Sequence, residues 1–233
     1  MAAVVFDMDG VLLDSEQVWD DVRRALAAEH GRAWDPGATA AMMGMSTPEW
    51  STYLVESLGL PLKPAEVART VIDRVADVYG RHPPMQPGAP DAVVRVAARW
   101  PLAIASSSPV SLIDTVLAAT GLARYFDARV SSEQVAAGKP APDVYLAAVR
   151  GLRAQPRRCA AIEDSSNGIR SAAAAGLMVV AVPNPHFPPR PDALALAAAT
   201  VADLHAVDQA LIAGLPARRT GRDLRPGPSP GPR

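Results

Sequence analysis

The sequence has a single cysteine, Cys159, among 233 residues. One thiol can form no disulfide within the chain and no cysteine cluster for zinc, so a hydrophobic core has to hold the fold. This cysteine usage fits a reducing, cytoplasmic setting. The chain also lacks an apolar run long enough to cross a bilayer, and its start lacks a basic region followed by a long apolar stretch. We therefore expect no membrane partner and no signal peptide.

The sequence has no strong excess of charge of one sign, since the formal net charge is −1. That balance gives no indication of a nucleic-acid partner. The tail, residues 216–233, is an exception, because it has five arginines and one aspartate. Its high content of proline and glycine predicts disorder. Lysine is scarce, because Lys63 and Lys139 stand against 21 arginines. In such a chain, Lys139 between a glycine and a proline indicates a need for a compact ammonium, although a surface turn would also explain it.

Hydrophobic periodicity divides the chain into two kinds of structure. Over residues 16–82 helical patterns follow one another without a strand pattern, which predicts an all-helical insert. Over residues 83–215 short apolar strands alternate with helices, the last of them at residues 202–212. Together with the apolar strand before Asp7, this alternation predicts an α/β domain built from residues 1–15 and 83–215. Its parallel sheet is expected to carry helices on both faces.

Two carboxylates follow the first predicted strand, at Asp7 and Asp9. Residues two apart point to the same face of a strand, so both side chains are expected at the carboxyl end of a buried strand, where α/β sheets bind ligands. Close carboxylates repel one another unless a metal ion or a shared environment keeps one ionised and the other protonated. That division suits a nucleophile beside an acid/base. A strand that simply ends in a polar Asp-Gly turn would also explain this sequence.

Polar residues also follow two later strands. Ser106 and Ser107 precede a helix N-terminus, where hydroxyl and backbone N–H groups can hold an anion or merely cap the helix. Glu163 and Asp164 end another strand and could, with Asp7, supply the hard oxygen ligands that Mg²⁺ prefers, or could cap the next helix. Their order along the chain, each at the end of a strand, makes coincidence a poor explanation.

These motifs together resemble those of the haloacid dehalogenase superfamily over roughly residues 1–213. The matching segments are Asp7-Met8-Asp9-Gly10-Val11, Ser106, Gly138-Lys139-Pro140, and Glu163-Asp164-Ser165 with Gly168. The position of the insert resembles the helical cap of the branch that includes β-phosphoglucomutase and many sugar-phosphate phosphatases. The resemblance implies a Rossmann-like parallel sheet core with an inserted all-helical cap domain over residues 16–82.

The same resemblance implies a role for each core residue. Asp7 would be the nucleophile that forms a phosphoaspartate, Asp9 would be the acid/base, and Lys139 would bridge Asp7 and the phosphate. The other implied contacts are to phosphate from Ser106 and the backbone N–H groups of Met8 and Ser107, and to Mg²⁺ from Asp7, Asp164, Glu163 and the Asp9 backbone carbonyl. Phosphoryl transfer needs this combination of an in-line nucleophile and neutralised oxygen charges.

The reaction within the superfamily is inferred from what the chain has and lacks. Asp9 and the two acids of the later motif argue against a dehalogenase. A phosphonatase would use a cap lysine. The only lysine of the cap is Lys63, which is predicted to lie in a turn between helices, so this reaction is disfavoured. The main alternative is a β-phosphoglucomutase-type mutase, but such proteins carry a histidine at the position of Trp19 and cations in the loop where residues 42–50 have none. A non-catalytic binding protein is the remaining alternative, although it would not need to keep Asp9 and its partners.

We therefore expect a monomeric phosphatase that acts on a small phosphorylated metabolite, with sugar or polyol phosphates ahead of phosphoglycolate and nucleotides. Trp19, Gly44, Met45 and Trp50 are the candidate substrate residues of the cap. Tryptophan and methionine at these spacings also suit plain helix packing. These residues predict a substrate pocket without a strong cationic anchor.

Overall fold

Six parallel strands form one sheet in the computed structural model of the chain, which describes residues 1–42, 45–185 and 187–216. The strands are β1 (Ala3–Phe6), β2 (Leu102–Ser106), β3 (Phe126–Ser131), β4 (Cys159–Glu163), β5 (Met178–Ala181) and β6 (Ala199–Thr200). Their order across the sheet is β3-β2-β1-β4-β5-β6. The chain therefore winds outward in one direction from β1 and then in the other from β4. Such a switch point is where α/β sheets bind ligands, at the carboxyl ends of the strands.

Helices flank this sheet and fill the long connection between its first two strands. The helices are α1 (Glu16–Glu29), α2 (Ala38–Met42), α3 (Thr47–Glu56), α4 (Pro64–Arg81), α5 (Ala89–Ala97), α6 (Val110–Thr120), α7 (Asp143–Gly151), α8 (Ser166–Ala174), α9 (Pro191–Leu194) and α10 (Gln209–Gly214). None of the helices in the described part of the chain has both the length and the apolar character that crossing a bilayer requires. The alternation of strand and helix confirms the predicted α/β class.

The helical insert is observed where the sequence places it. Helices α1 to α4 occupy the chain between Glu16 and Arg81, and no strand interrupts them among the described residues. Val67, Val71 and Val75 form the buried stripe of α4, as their spacing by four predicts. That helix packs against α1, α3 and also α6. The division of the chain into a core and a cap domain stays a prediction.

Both faces of the sheet are buried at its four inner strands, which explains why β1, β2, β4 and β5 are mostly apolar. Val5, Ala103 and Ala161 belong to the face covered by α7 and α8. Phe6 and Ile104 belong to the opposite face, whose apolar cluster continues into the helices of the insert. Helices on both faces exclude water from the four inner strands β1, β2, β4 and β5, so polar side chains stand only at their ends. The edge strand β3 differs, because Asp127 and Arg129 are exposed in the middle of it.

The strand register brings the polar ends of three strands together. Phe6 pairs with Ile104 of β2 on one side and with Ile162 of β4 on the other. Asp7 and Glu163 each follow these paired residues directly. The sheet thus places the acids of the first and last motifs at the same height on adjacent strands.

The end of the described chain differs from the predicted helix over residues 202–212. A 3₁₀ turn at Leu204–Ala206 and α10 take its place. The Asp203 side chain accepts a hydrogen bond from the His205 N–H, and the Asp208 side chain accepts one from the Leu211 N–H. Because aspartate favours the N-cap over the helix interior, the two aspartates start two short elements instead of joining one. The tail predicted to be disordered, residues 216–233, lies outside the described residues except for Pro216.

Candidate active site

Asp7 and Glu163 meet at one lysine. Lys139 Nζ lies 2.9 Å from Asp7 Oδ1 and 2.7 Å from Glu163 Oε1. All three side chains are buried, since 7% of Asp7, 0% of Glu163 and 5% of Lys139 is exposed. Burial disfavours the charged form of Lys139, but the two carboxylates outweigh this effect and raise its pKa. The lysine therefore remains an ammonium beside Asp7.

Both oxygens of the Glu163 carboxylate accept hydrogen bonds from within the fold. Oε1 accepts from Lys139 Nζ and from the Tyr145 hydroxyl, each at 2.7 Å. Oε2 accepts from the backbone N–H of Asp164 at 3.0 Å and of Ser165 at 3.2 Å. This network holds Glu163 in one orientation, and Glu163 in turn fixes the ammonium next to the nucleophile candidate.

Asp7, Glu163 and Asp164 form a cluster that suits a hard divalent cation. One carboxylate oxygen from each lies within 4.8 Å of the others. Burial raises the pKa of Asp7 and of Asp164 well above the usual range, and the charge of Glu163 adds to the effect in both. Asp164 Oδ1 is buried and has no hydrogen-bond partner among the described residues. A buried, unpaired oxygen in a group of crowded carboxylates fits the oxygen ligation of Mg²⁺.

Two glycines allow the backbone to approach these carboxylates. Gly10 has φ +82°, and a Cβ built there would lie 2.0 Å from Asp164 Oδ2. A Cβ at Gly168 would lie 1.7 Å from Glu163 Oε1. Both distances are far shorter than any van der Waals contact, so the glycines of the first and last motifs serve the packing of the acidic cluster.

Asp9 projects into the same site and is held by hydroxyl groups. Its Oδ2 accepts from the Ser108 hydroxyl at 2.6 Å and from the Ser106 hydroxyl at 3.4 Å. Its Oδ1 accepts from the Tyr79 hydroxyl at 3.4 Å. Because Tyr79 lies on α4, this contact joins the insert to the catalytic edge of the sheet. Tyr145 and Tyr79 were missed by the sequence analysis, because their hydroxyl contacts depend on how α7 and α4 pack against the sheet.

A cavity of about 530 Å³ opens above these groups. The sequence-predicted residues that line it are Asp7, Asp9, Trp19, Met45, Trp50, Ser107, Lys139 and Asp164. Three others, Met8, Ser106 and Glu163, are fully buried beneath the lining. The Met8 N–H donates to Asp7 Oδ1 at 2.7 Å, and Ser106 Oγ accepts from the Ser108 N–H at 3.0 Å. Gly44 lies outside the described residues.

The two tryptophans act both as packing residues and as cavity wall. Trp19 is 9% exposed and Trp50 is 2% exposed, and their ring centroids lie 6.0 Å apart in an edge-to-face arrangement. Met45 is partly buried against the same apolar cluster. The packing and the lining interpretations of these residues therefore do not exclude one another, because a helix–helix contact ends at the cavity.

The expectation of a cavity without a strong cationic anchor is wrong, because Arg23 lines it. Its guanidinium carbon lies 5.0 Å from the ring centroid of Trp19 and 4.8 Å from that of Trp50. Glu16 lines the cavity as well, and burial with the nearby Asp9 charge raises the pKa of Glu16 to about 7. Glu16, Trp19 and Arg23 are spaced by three and four, which places them on one helix face. That spacing is the signal that the sequence analysis did not use.

Comparison with known proteins agrees with this geometry. Residues 1–176 match the family model described as haloacid dehalogenase-like hydrolase, and the chain belongs to that family, as its motifs predict. It is 31% identical to fructose-1-phosphate phosphatase YqaB of Escherichia coli (strain K12) over 78% of this chain and 96% of that protein. It is 34% identical to hexitol phosphatase B of the same strain over 78% and 84%. The crystal structure of CbbY from Rhodobacter sphaeroides in complex with phosphate superposes with a TM-score of 0.79 at 25% identity, over 89% of this chain and 96% of that one.

Proposed function

We propose that the protein is a Mg²⁺-dependent phosphatase that hydrolyses a small sugar or polyol phosphate through a phosphoaspartate. The observation that carries the proposal is the buried Asp7 carboxylate, paired with Lys139 and adjoining Asp164, at the floor of a cavity that also receives Asp9. A nucleophile, an acid/base, a fixed cation and metal-ligand oxygens are the parts that phosphoryl transfer requires.

In the first step an Asp7 oxygen attacks phosphorus and the bond from phosphorus to the substrate oxygen breaks. Asp9 donates its proton to that leaving oxygen, so the sugar or polyol departs as an alcohol. In the second step Asp9 takes a proton from water, whose oxygen attacks phosphorus and displaces Asp7 as a carboxylate. The hydroxyls that hold Asp9 keep its carboxyl group directed at the cavity in both steps.

Charge compensation comes from Lys139 and from the metal. Asp7, Asp164 and the Asp9 backbone carbonyl would hold Mg²⁺, and Glu163 would act mainly by holding Lys139, because both of its oxygens are engaged. Bound there, Mg²⁺ would offset the negative charge of the transferring phosphate. The remaining phosphate oxygens would accept hydrogen bonds from the backbone N–H groups of Met8 and Ser107 and from the Ser106 hydroxyl at the end of β2.

The substrate class follows from the size of the site and from the relatives. A cavity of about 530 Å³ can enclose a phosphate with a six-carbon chain. Two relatives, matched over 96% and 84% of their length, are named fructose-1-phosphate phosphatase and hexitol phosphatase. The mutase alternative is disfavoured because Trp19 replaces the expected cap histidine. A monomeric state and a cytoplasmic location remain part of the proposal.

The test is phosphate release from a panel of sugar, polyol and other phosphomonoesters, with β-glucose 1-phosphate included and the products identified. We expect turnover that stops with EDTA and returns with Mg²⁺. Asp7→Asn should abolish it, whereas the control Asp73→Asn, at an exposed position of α4, should leave it unchanged. Substantial activity in Asp7→Asn would refute the nucleophile, and primer-dependent formation of glucose 6-phosphate would establish the mutase instead.

A further inference from the structure

Arg23 lies in the cavity wall with a buried Nε that has no hydrogen-bond partner among the described residues. In the same part of the chain no carboxylate oxygen lies within 4.0 Å of its guanidinium nitrogens. The neighbouring Arg24 is different, because it donates to both Asp20 and Thr39. A buried donor without an acceptor is costly. Since Arg23 lines the cavity, an acceptor on a bound molecule would remove that cost.

The guanidinium is held in place before any ligand arrives. It lies over the rings of both Trp19 and Trp50, at 5.0 and 4.8 Å from their centroids. Contact with two aromatic rings restricts its rotamers, so less side-chain entropy is left to lose on binding. An arginine stacked in this way presents its N–H groups in a fixed plane.

The charge of Arg23 lies in the field of three nearby carboxylates. Burial lowers the pKa of Arg23 to about 10, while the charges of Glu16, Asp20 and Asp9 act in the opposite direction. An anionic group brought to Arg23 would meet the field of these three carboxylates. A neutral hydroxyl would not, and it can accept from Arg23 while it donates to Glu16.

We propose that Arg23, together with Glu16, binds hydroxyl groups at the end of the substrate remote from the phosphate. This wall would then select sugar or polyol phosphates over phosphates with alkyl chains and over those that end in a carboxylate. The proposal rests on the proposed function, and it names the part of the site that determines substrate specificity. The catalytic groups at Asp7 and Lys139 bind only the phosphate, which all candidate substrates share.

The experiment compares sorbitol 6-phosphate with n-hexyl phosphate, which has six carbons without the hydroxyls, and with 6-phosphogluconate. Arg23→Met should lower kcat/KM for sorbitol 6-phosphate by about 10- to 100-fold, the loss of a charge-assisted hydrogen bond. The kcat/KM for n-hexyl phosphate should stay within about twofold. Arg23→Lys should recover only part of the loss, because an ammonium lacks the planar fork. The control Arg24→Met should leave the ratio between the two substrates unchanged.

Binding to the Asp7→Asn variant separates this proposal from the failure of the proposed reaction. By calorimetry, Asp7→Asn should bind sorbitol 6-phosphate more tightly than n-hexyl phosphate, and adding Arg23→Met should erase the difference. That result would support the proposal even if the wild type released no phosphate. An equal loss for both ligands would show that Arg23 only supports the fold. A wild-type preference for 6-phosphogluconate that depends on Arg23 would show an anion site and overturn the assignment to hydroxyl groups.

Discussion

Replacing Lys139 by methionine tests the electrostatics on which the proposed site depends. Methionine matches the length of the side chain but leaves Asp7 and Glu163 without their shared cation. Breaking a buried ion pair by removing one partner typically costs about 3–5 kcal/mol of unfolding free energy. Lys139 lies within 2.9 Å of both carboxylates and is 5% exposed. We therefore expect the full range of that cost at pH 8, together with loss of turnover.

The loss of unfolding free energy in Lys139→Met should depend on pH, because the carboxylates left without a cation can take up protons. Each extra proton held by the folded protein contributes about 1.4 kcal/mol per pH unit, or about 4 kcal/mol between pH 8 and pH 5. Without the ammonium, the pKa of Asp7 would rise further above its usual range, so the stability lost at high pH returns as the pH falls. The loss should thus shrink from about 3–5 kcal/mol at pH 8 to about 1 kcal/mol at pH 5.

The assay is urea unfolding in EDTA at both pH values, with phosphate release measured in Mg²⁺. Lys63→Met is a matched control, because Lys63 is the other lysine of the chain and is exposed at the start of α4. It should change the unfolding free energy by less than about 0.5 kcal/mol at either pH. An equal destabilisation of Lys139→Met at pH 8 and pH 5 would mean that lost packing, and not charge, explains the effect.

Two further predictions concern the cavity. Gly10→Ala should destabilise the protein and weaken the thermal shift caused by Mg²⁺ far more than Gly31→Ala, since both glycines have positive φ but only a Cβ at Gly10 meets Asp164. Equal effects would attribute the loss to backbone strain alone. Glu16→Gln should stabilise the protein at pH 8 by about 1–3 kcal/mol and have no effect near pH 4.5. The reason is that the pKa of Glu16 is raised from 4.5 to about 7, so the folded protein favours the neutral carboxyl group and loses stability as the pH rises and Glu16 ionises. Urea unfolding across this range would show a flat difference if Glu16 titrates normally.

The core of the site could be predicted from the sequence because its determinants are local. A strand fixes the direction of Asp7 through its period of two, and a parallel sheet brings the carboxyl ends of its strands to one edge. Glu163 therefore had to lie near Asp7 once β1 and β4 were neighbours. The sequence analysis identified Gly10 and Gly168 only as members of the motifs. It could not explain them, because the close approach of backbone and carboxylate depends on three-dimensional packing.

The cavity wall could not be predicted in the same way. Trp19, Glu16 and Arg23 share a helix face by their spacing, but spacing alone does not say what that face meets. Arg23 would be a solvated surface residue if α1 were rotated, and Tyr145 would be an ordinary core residue if α7 packed elsewhere. Their functions depend on the packing of separate elements, which the hydrophobic pattern constrains only loosely.

The charges of the buried cluster explain why a divalent cation and a phosphate suit this site together. Asp7, Glu163 and Asp164 contribute three negative charges when ionised, and Lys139 contributes one positive charge, so the cluster carries 3 − 1 = 2 negative charges. Burial raises the pKa values of Asp7 and Asp164, and the charge of Glu163 adds to the effect, so both groups favour the protonated form when no cation is bound. In the proposed mechanism a divalent cation would balance this excess and let Asp7 remain ionised as the nucleophile. Lys139 would not suffice alone, because Glu163 already shares its charge. We therefore expect Asp7 to react only when the metal site is filled.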